Sequence, residues 1–291
     1  MTSRKIRTLA AAGAAGSRPP GGKERMAPRE SLHTVRNVRV RLFTAGEDGD
    51  PLVFLHGAAG IERWLPFFDR LAGRHRVLVP EHPGFGGSDD PASIRDVSDL
   101  AMYYLDFLDA FADAPGGGRV HLVGQSLGGW VAAEIATRNC SHLRSLTLLA
   151  PAGVRVKGVP SGDNFIWTPE ETARNLVHDQ AFAERAIAAA AAQTDEEADR
   201  ALVNRYAAAK FGWEPRWFNP ALERWLHRIR VPALVLWGAE DRLLPVAYAE
   251  VWRREVPGAA VEVLPACGHL LNVERADEVA DRVLAFTGAH S

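Results

Sequence analysis

The chain lacks the features that mark disulfide-stabilised, membrane-spanning or nucleic-acid-binding proteins. Its 291 residues include two cysteines, Cys140 and Cys267, which are too few for a disulfide framework and lack partners at zinc-ligand spacing. No run of 18 apolar residues occurs, so no membrane span is predicted. The 34 Lys plus Arg nearly balance 36 Asp plus Glu, and the net charge of -2 gives no broad field for nucleic acid or anionic lipid. We therefore expect a cytoplasmic protein without nucleic-acid or membrane partners, whose oligomeric state stays open.

Residues 1–30 differ from the rest of the chain in charge and composition. They hold seven Lys plus Arg against two Glu, whereas the whole chain is slightly acidic. The one mildly apolar run, residues 9–16, consists mostly of Ala and Gly and leads into a Pro-rich and Gly-rich stretch. We predict a disordered N-terminal tail over residues 1–30. A weak export signal and a true start at Met26 are the alternatives.

Beyond the tail, short apolar runs alternate with segments of helical length and period. Hydrophobic residues make up 47% of the chain and charged residues 24%, as in ordinary globular proteins. The predicted strands are Thr34–Thr44, Pro51–His56, Arg76–Pro80, Val120–Gly124, Leu143–Leu149, Ala233–Trp237 and Val261–Leu264. The predicted helices are Glu62–Ala72, Val97–Phe111, Leu127–Arg138, Pro245–Glu255 and Glu274–Phe286. This alternation predicts an α/β fold with a parallel sheet buried on both faces.

The alternation stops between Gly153 and about Pro220. This stretch has no strand-like run, but two helical pieces, Ala181–Gln193 and Asp195–Lys210, are predicted within it. We therefore expect a core of residues 31–152 plus 221–291 with a helical lid inserted over 153–220. Its aromatic residues exceed what short helices need for packing, so some are predicted to line a substrate cleft, namely Trp167, Trp213 and Trp217. The alternative is that these rings only join the insertion to the sheet.

A GxSxG motif, Gly124 to Gly128, lies between an apolar strand and a helix. A turn this tight places Ser126 in strained dihedral angles, and glycines on either side remove side chains that would clash. The hydroxyl of Ser126 is then exposed at a helix N-terminus. The backbone N–H of Leu127 and the positive end of the helix dipole point toward any oxyanion that forms there. The motif in this context predicts a nucleophilic serine.

With this motif the chain resembles the α/β-hydrolase family over residues 34–288. The resemblance implies a mostly parallel wound sheet with helices on both faces and an inserted helical lid. In that family a loop after an earlier strand supplies a second oxyanion donor, and here the small-residue run from His56 to Gly60 follows such a strand. Ala58 is the predicted donor, and Ala59 is the alternative.

A serine hydroxyl needs a base to become nucleophilic, and the base needs an orienting carboxylate. In the α/β-hydrolase fold the acid and then the histidine follow the serine along the chain. His269 lies in a loop between a late strand and a helix, where the family has its base. Asp241 follows the strand Ala233–Trp237 and matches the family's acid, with the neighbouring Glu240 as the alternative.

A serine at this position favours acyl transfer over the chemistry of the aspartate nucleophiles found in related dehalogenases and epoxide hydrolases. The leading hypothesis is hydrolysis of a carboxylic ester of a small apolar or aromatic substrate. Carbon–carbon bond hydrolases of ring-cleavage products share the triad, but commonly carry Trp after the histidine, where this chain has Leu270. A cofactor-free haloperoxidase or perhydrolase and a ligand-binding receptor are further alternatives. No metal or organic cofactor is expected, because a base activates the nucleophile.

Overall fold

The computed structural model describes residues 28–61, 63–114 and 116–291, and an eight-stranded sheet lies at its centre. The strands are β1 (Arg29–Val35), β2 (Val38–Ala45), β3 (Pro51–Leu55), β4 (Arg76–Pro80), β5 (Val120–Gln125), β6 (Leu143–Leu149), β7 (Ala233–Gly238) and β8 (Ala260–Leu264). Their order across the sheet is β1-β2-β4-β3-β5-β6-β7-β8. β2 runs antiparallel to both neighbours, and all other neighbouring pairs are parallel. The predicted mostly parallel sheet is confirmed.

Helices cover this sheet. They are α1 (Pro66–Ala72), α2 (Val97–Asp113), α3 (Leu127–Arg138), α4 (Pro169–Leu176), α5 (Gln180–Ala191), α6 (Asp195–Gly212), α7 (Ala249–Glu255), α8 (Leu271–Glu274) and α9 (Ala276–Gly288), with short 3-10 helices at Leu222–Arg228 and Val246–Tyr248. Helix α2 packs against α3, and α1 packs against α9. Every residue of β3, β5 and β7 is buried, so the middle of the sheet is covered on both faces. Among the described residues, no helix is both long and apolar enough to cross a membrane.

The N-terminal edge of the sheet differs from the sequence prediction. The predicted single strand Thr34–Thr44 is wrong, because Arg36 and Asn37 form a two-residue turn between β1 and β2, with φ of 49° and 64°. Positive φ at both central residues is what a tight type I′ hairpin requires, and Asn favours it. β1 begins at Arg29 and so includes the last two residues of the predicted tail. Residues 1–27 lie outside the described part of the chain.

The predicted insertion between β6 and β7 contains three helices, one more than the sequence analysis identified. The missed helix, α4, has a capping box in which Thr168 and Glu171 bind each other's backbone N–H, with Pro169 at the first helical position. Both are recognised signals of a helix start, so the sequence did contain the information. The two ends of the insertion meet, since Gly153 N–H donates to Trp217 O at 3.0 Å.

The turn between β5 and α3 packs directly on β3. A Cβ added at Gly128 would lie 2.0 Å from the backbone oxygen of Leu55. We expect Gly128→Ala to lower the free energy of unfolding by about 3 kcal/mol, because neither backbone segment can shift easily. Urea unfolding measures this. The control is Gly288→Ala, where the added methyl meets nothing within 4 Å. Equal stability of Gly128→Ala and the unsubstituted protein would contradict the close packing.

Candidate active site

Ser126 lies at the junction of β5 and α3 with strained backbone angles, φ 54° and ψ -114°. Its N–H donates to Leu149 O at 2.9 Å, and its carbonyl accepts the N–H groups of Trp130 and Ala152, both at 3.0 Å. Such angles persist only where surrounding bonds impose them. A Cβ at Gly124 would lie 2.3 Å from the oxygen of Gly128, so the turn needs glycine there. The strained turn predicted from the motif is therefore present.

The structure brings the three predicted triad residues together. His269 Nε2 lies 2.9 Å from Ser126 Oγ, and His269 Nδ1 lies 2.7 Å from Asp241 Oδ2. The other Asp241 oxygen accepts the N–H groups of Leu243 and Leu244 at 2.9 and 2.8 Å. A carboxylate fixed in this way accepts the Nδ1 proton, which leaves Nε2 free to accept the proton of the serine hydroxyl.

Glu240, the alternative acid, has a different partner. Its Oε2 accepts the N–H of Cys267 at 2.9 Å, and its own N–H donates to the Cys267 carbonyl at 3.1 Å. Glu240 therefore binds the backbone of the loop that carries His269, and Asp241 is the residue that contacts the imidazole. Cys267 itself is buried, and this burial raises the pKa of its thiol to about 12. A thiol that stays protonated is a poor nucleophile.

The predicted oxyanion donors lie beside Ser126. Leu127 is the first residue of α3, and Ala58 follows Gly57, where an added Cβ would come within 3.4 Å of Ser126 Cβ. Within the described parts of the chain, neither Leu127 N–H nor Ala58 N–H donates to a protein acceptor. Unpaired N–H groups next to a nucleophile can bind an oxyanion. Ala59, the alternative donor, also lines the adjacent cavity.

Two histidine rings in contact, with centroids 3.7 Å apart and planes tilted by 33°, hold the loop that carries Ala58. His56 Nδ1–H donates to Gly57 O at 2.7 Å, and His56 Nε2 accepts the N–H of His82 at 2.9 Å. His82 in turn donates to His56 O at 2.9 Å and accepts from the Tyr104 hydroxyl at 2.5 Å. Burial lowers the pKa of His56 to about 4 and that of His82 well below its usual range. Both rings are therefore neutral near pH 7, as this bonding pattern requires.

Asn204 of α6 joins the insertion to the same loop and was missed by the sequence analysis. Its Nδ2 donates to Ala59 O and its Oδ1 accepts Gly86 N–H, both at 2.9 Å. The side chain is buried on a helix face that also carries Ala208 and Phe211. A single polar residue on such an apolar face was the available signal, because a buried amide needs partners.

A cavity of about 580 Å³ opens beside Ser126 and His269. The insertion contributes apolar side chains to it, among them Phe165, Leu176 and Leu202, and also the charged Arg205. A second cavity of about 220 Å³ shares Ala59, Gln125 and Leu270 with the first. The site can therefore hold a mostly apolar molecule next to the serine hydroxyl.

The structure does not place the three predicted tryptophans in the wall of this cavity. Phe165 lies there instead, with Trp217 stacked on it at a centroid distance of 5.1 Å and Trp213 packed edge-on at 5.4 Å. The Trp217 indole N–H donates to Asn164 Oδ1 at 2.8 Å. Trp167 packs against Gly162. The buried Trp217 and the half-exposed Trp213 therefore pack against Phe165 and support it as part of the cavity wall.

Comparison with known proteins identifies the family. A model described as "Alpha/beta hydrolase family" matches residues 52–282, most of the chain. The chain belongs to the α/β hydrolase family. The fold predicted from the GxSxG motif is thereby confirmed.

The relatives of this α/β hydrolase carry out different reactions. It is 31% identical to the dihydrolipoyllysine-residue acetyltransferase component of the acetoin cleaving system of Pseudomonas putida, over 93% of this chain and 72% of the relative. It is 29% identical to a 2-hydroxy-6-oxononadienedioate/2-hydroxy-6-oxononatrienedioate hydrolase of Paraburkholderia phymatum, over 86% and 91%. A solved bacterial membrane phospholipase A matches with a TM-score of 0.71 at 28% identity, over 90% and 86%. Family membership alone therefore leaves the substrate open.

The buried His56 makes the stability of the α/β hydrolase depend on pH. Its folded-state pKa of about 4 lies below the ordinary 6.5, so below pH 6.5 the unfolded chain binds a proton that the folded chain does not. The free energy of unfolding therefore falls as the pH is lowered from 6.5 toward 4. We expect His56→Gln to lower the slope of the free energy of unfolding against pH between about pH 5 and pH 6. The decrease corresponds to up to about one bound proton.

Urea unfolding at several pH values measures the slope for each protein. The control is His227→Gln, which replaces an exposed histidine that does not contact His56 or His82. An unchanged slope in His56→Gln would contradict a neutral, buried His56.

Proposed function

We propose that this α/β hydrolase cleaves a carboxylic ester through an acyl-enzyme intermediate. The observation that carries the proposal is the continuous hydrogen-bonded series from Asp241 through His269 to Ser126, with distances of 2.7 and 2.9 Å. In this series each group has the partner that its role requires. The neighbouring unpaired N–H groups and the adjoining cavity supply the remaining parts of an acyl-transfer site.

The first half of the reaction acylates the serine. Ser126 Oγ attacks the ester carbonyl carbon while His269 Nε2 takes the hydroxyl proton, and Asp241 stabilises the resulting imidazolium. The carbonyl oxygen becomes an oxyanion that accepts hydrogen bonds from the N–H groups of Leu127 and Ala58. The tetrahedral intermediate then collapses, the bond to the alcohol oxygen breaks, and His269 gives its proton to the departing alcohol.

The second half releases the acid. A water molecule attacks the acyl carbon, and His269 Nε2 takes one of its protons. A second tetrahedral intermediate forms, and its oxyanion accepts hydrogen bonds from the same donors. Its collapse breaks the bond between the acyl carbon and Ser126 Oγ, and His269 returns the proton to that oxygen. The chain then returns to its starting state with one ester and one water converted into an acid and an alcohol.

The cavity supports an apolar or aromatic substrate of modest size. Its wall is mostly apolar, and its volume of about 580 Å³ is within the usual range for small-molecule sites. Phe165, backed by Trp213 and Trp217, offers a rigid ring surface for packing. The similarity to a solved phospholipase A also supports an ester substrate.

Ester turnover tests the proposal directly. We expect Ser126→Ala and His269→Ala to lower kcat for p-nitrophenyl butyrate by a factor of about 10³ or more, because each removes a group that acts in the transition state. Labelling by a fluorophosphonate should disappear in Ser126→Ala and persist in Ser141→Ala, where an exposed serine is replaced. Retained turnover in Ser126→Ala would contradict the proposal. Labelling of the unsubstituted protein without multiple turnover would favour the receptor alternative.

Carbon–carbon bond hydrolysis of a ring-cleavage product is a second candidate, and Arg205 is the observation that favours it. Arg205 lines the main cavity and, among the described residues, has no carboxylate or hydrogen-bond partner. An unpaired guanidinium in a substrate cavity suits a carboxylate on the substrate. The relative from Paraburkholderia phymatum is named as a hydrolase of dioates, which are substrates of this kind.

Replacing Arg205 separates acidic from neutral substrates. In Arg205→Met we expect the ratio of kcat/KM for a carboxylate-bearing substrate to that for a neutral ester to fall by a factor of about 10 or more, which corresponds to one lost charged hydrogen bond. The control is Arg200→Met on the same helix, where the arginine pairs with Glu196. An unchanged ratio would contradict carboxylate recognition by Arg205. Wild-type turnover of a ring-cleavage dienoate far above that of any ester would favour the second candidate.

A further inference from the structure

The loop that carries His269 is bound along its backbone by groups outside it. This base loop comprises residues 267–270, and each of its four successive N–H groups has an acceptor. Cys267 N–H donates to Glu240 Oε2 at 2.9 Å, Gly268 N–H to Glu274 Oε2 at 2.7 Å, and His269 and Leu270 N–H to Leu176 O at 2.8 and 3.1 Å. Leu176 belongs to the insertion. The position of the imidazole therefore depends on groups well outside the triad.

Glu274 links the base loop to the insertion through a single carboxylate. While one oxygen accepts Gly268 N–H, the other accepts the N–H groups of His178 and Asp179 at 2.8 and 2.5 Å. His178 and Asp179 lie in the segment between α4 and α5. Three backbone donors thus converge on one side chain, and hydrogen bonds to a carboxylate are stronger than those to a neutral acceptor.

The two backbones that Glu274 joins are also in direct contact. A Cβ added at Gly268 would lie 2.7 Å from Val177 Cα and 2.8 Å from Leu176 O. Any side chain at position 268 would therefore push the base loop away from the insertion. Glu274 is the last residue of α8, and its carboxylate binds both backbone segments beside this contact.

We propose that Glu274 is a positioning residue that holds His269 against Ser126 by fixing the base loop to the segment between α4 and α5. It touches neither the imidazole nor the substrate cavity, so it acts through the loop backbone. A displacement of about 1 Å in a catalytic group can lower the rate by a factor of about 100. The hydrogen bonds to the four N–H groups of the base loop therefore preserve the rate, because they limit such a displacement of the imidazole. This inference rests on the proposed role of His269 as the base.

The test variant is Glu274→Gln. Glutamine has the same length, but its single acceptor oxygen can serve only one side of the link, while its NH₂ group meets an N–H on the other side. We expect kcat for p-nitrophenyl butyrate to fall by a factor of about 10 or more, with KM within a factor of about 2. The matched control is Glu278→Gln, because Glu278 lies in α9, pairs with Arg275 and Arg282, and makes no hydrogen bond to the base loop.

A second readout does not depend on the reaction. The proton of His269 Nδ1, shared with Asp241, is expected to give a far-downfield ¹H NMR resonance in the unsubstituted protein and in Glu278→Gln, and none in His269→Ala. In Glu274→Gln this resonance should broaden or disappear, because a released base loop admits water to the imidazole. If Glu274→Gln does not fold, Glu274→Asp, whose carboxylate is one methylene too short to reach both sides, serves in the same two measurements.

The outcomes separate this inference from the proposed function. Ester turnover in the unsubstituted protein together with unchanged kcat and resonance in the Glu274 variant would overturn the inference and leave the proposed function standing. A loss of activity accompanied by an intact resonance would also overturn it, because the base would then still be in place. If the unsubstituted protein turns over no ester, the proposed function fails, and the resonance alone decides whether Glu274 positions His269.

Discussion

The strained turn at Ser126 is the constraint on which the rest of the site depends. Its positive φ is imposed by a turn so tight that no side chain fits at Gly124 or Gly128, where an added Cβ would meet backbone at 2.3 and 2.0 Å. The turn points the hydroxyl out of the sheet at the carboxyl end of β5. Asp241 and His269 follow β7 and β8 at the same edge, because parallel strands end on the same side.

The insertion is part of this site, because several of its residues line the cavity beside Ser126. Through Leu176 and Glu274 it is bound to the base loop, and through Asn204 it is bound to the loop that carries Ala58. A rigid-body movement of the insertion away from the sheet would break these bonds. The geometry of the site is therefore energetically coupled to the position of the insertion on the sheet domain. Residues of the insertion and of the sheet domain together line the cavity.

Local signals in the sequence were sufficient to predict the parallel sheet and Ser126, whereas Asp241 and His269 were predicted from the resemblance to the α/β-hydrolase family. Apolar runs identify buried strands, and a GxSxG motif between a strand and a helix fixes one turn. The residues that line the substrate cavity could not be predicted in the same way. Whether Phe165 or Trp217 faces the cavity depends on how three short helices pack on one another. The link made by Glu274 could not be predicted for a similar reason, since two of its three backbone donors, His178 and Asp179, lie 96 and 95 residues away along the chain.

The central claim is that Ser126 becomes covalently acylated, and peptide mass spectrometry of acid-quenched reactions tests it most directly. After mixing with a p-nitrophenyl ester, the peptide that contains Ser126 is predicted to gain the mass of the acyl group within the first turnover and to lose it as the ester is consumed. Turnover without any adduct on this peptide, or with an adduct on another residue, would contradict the account.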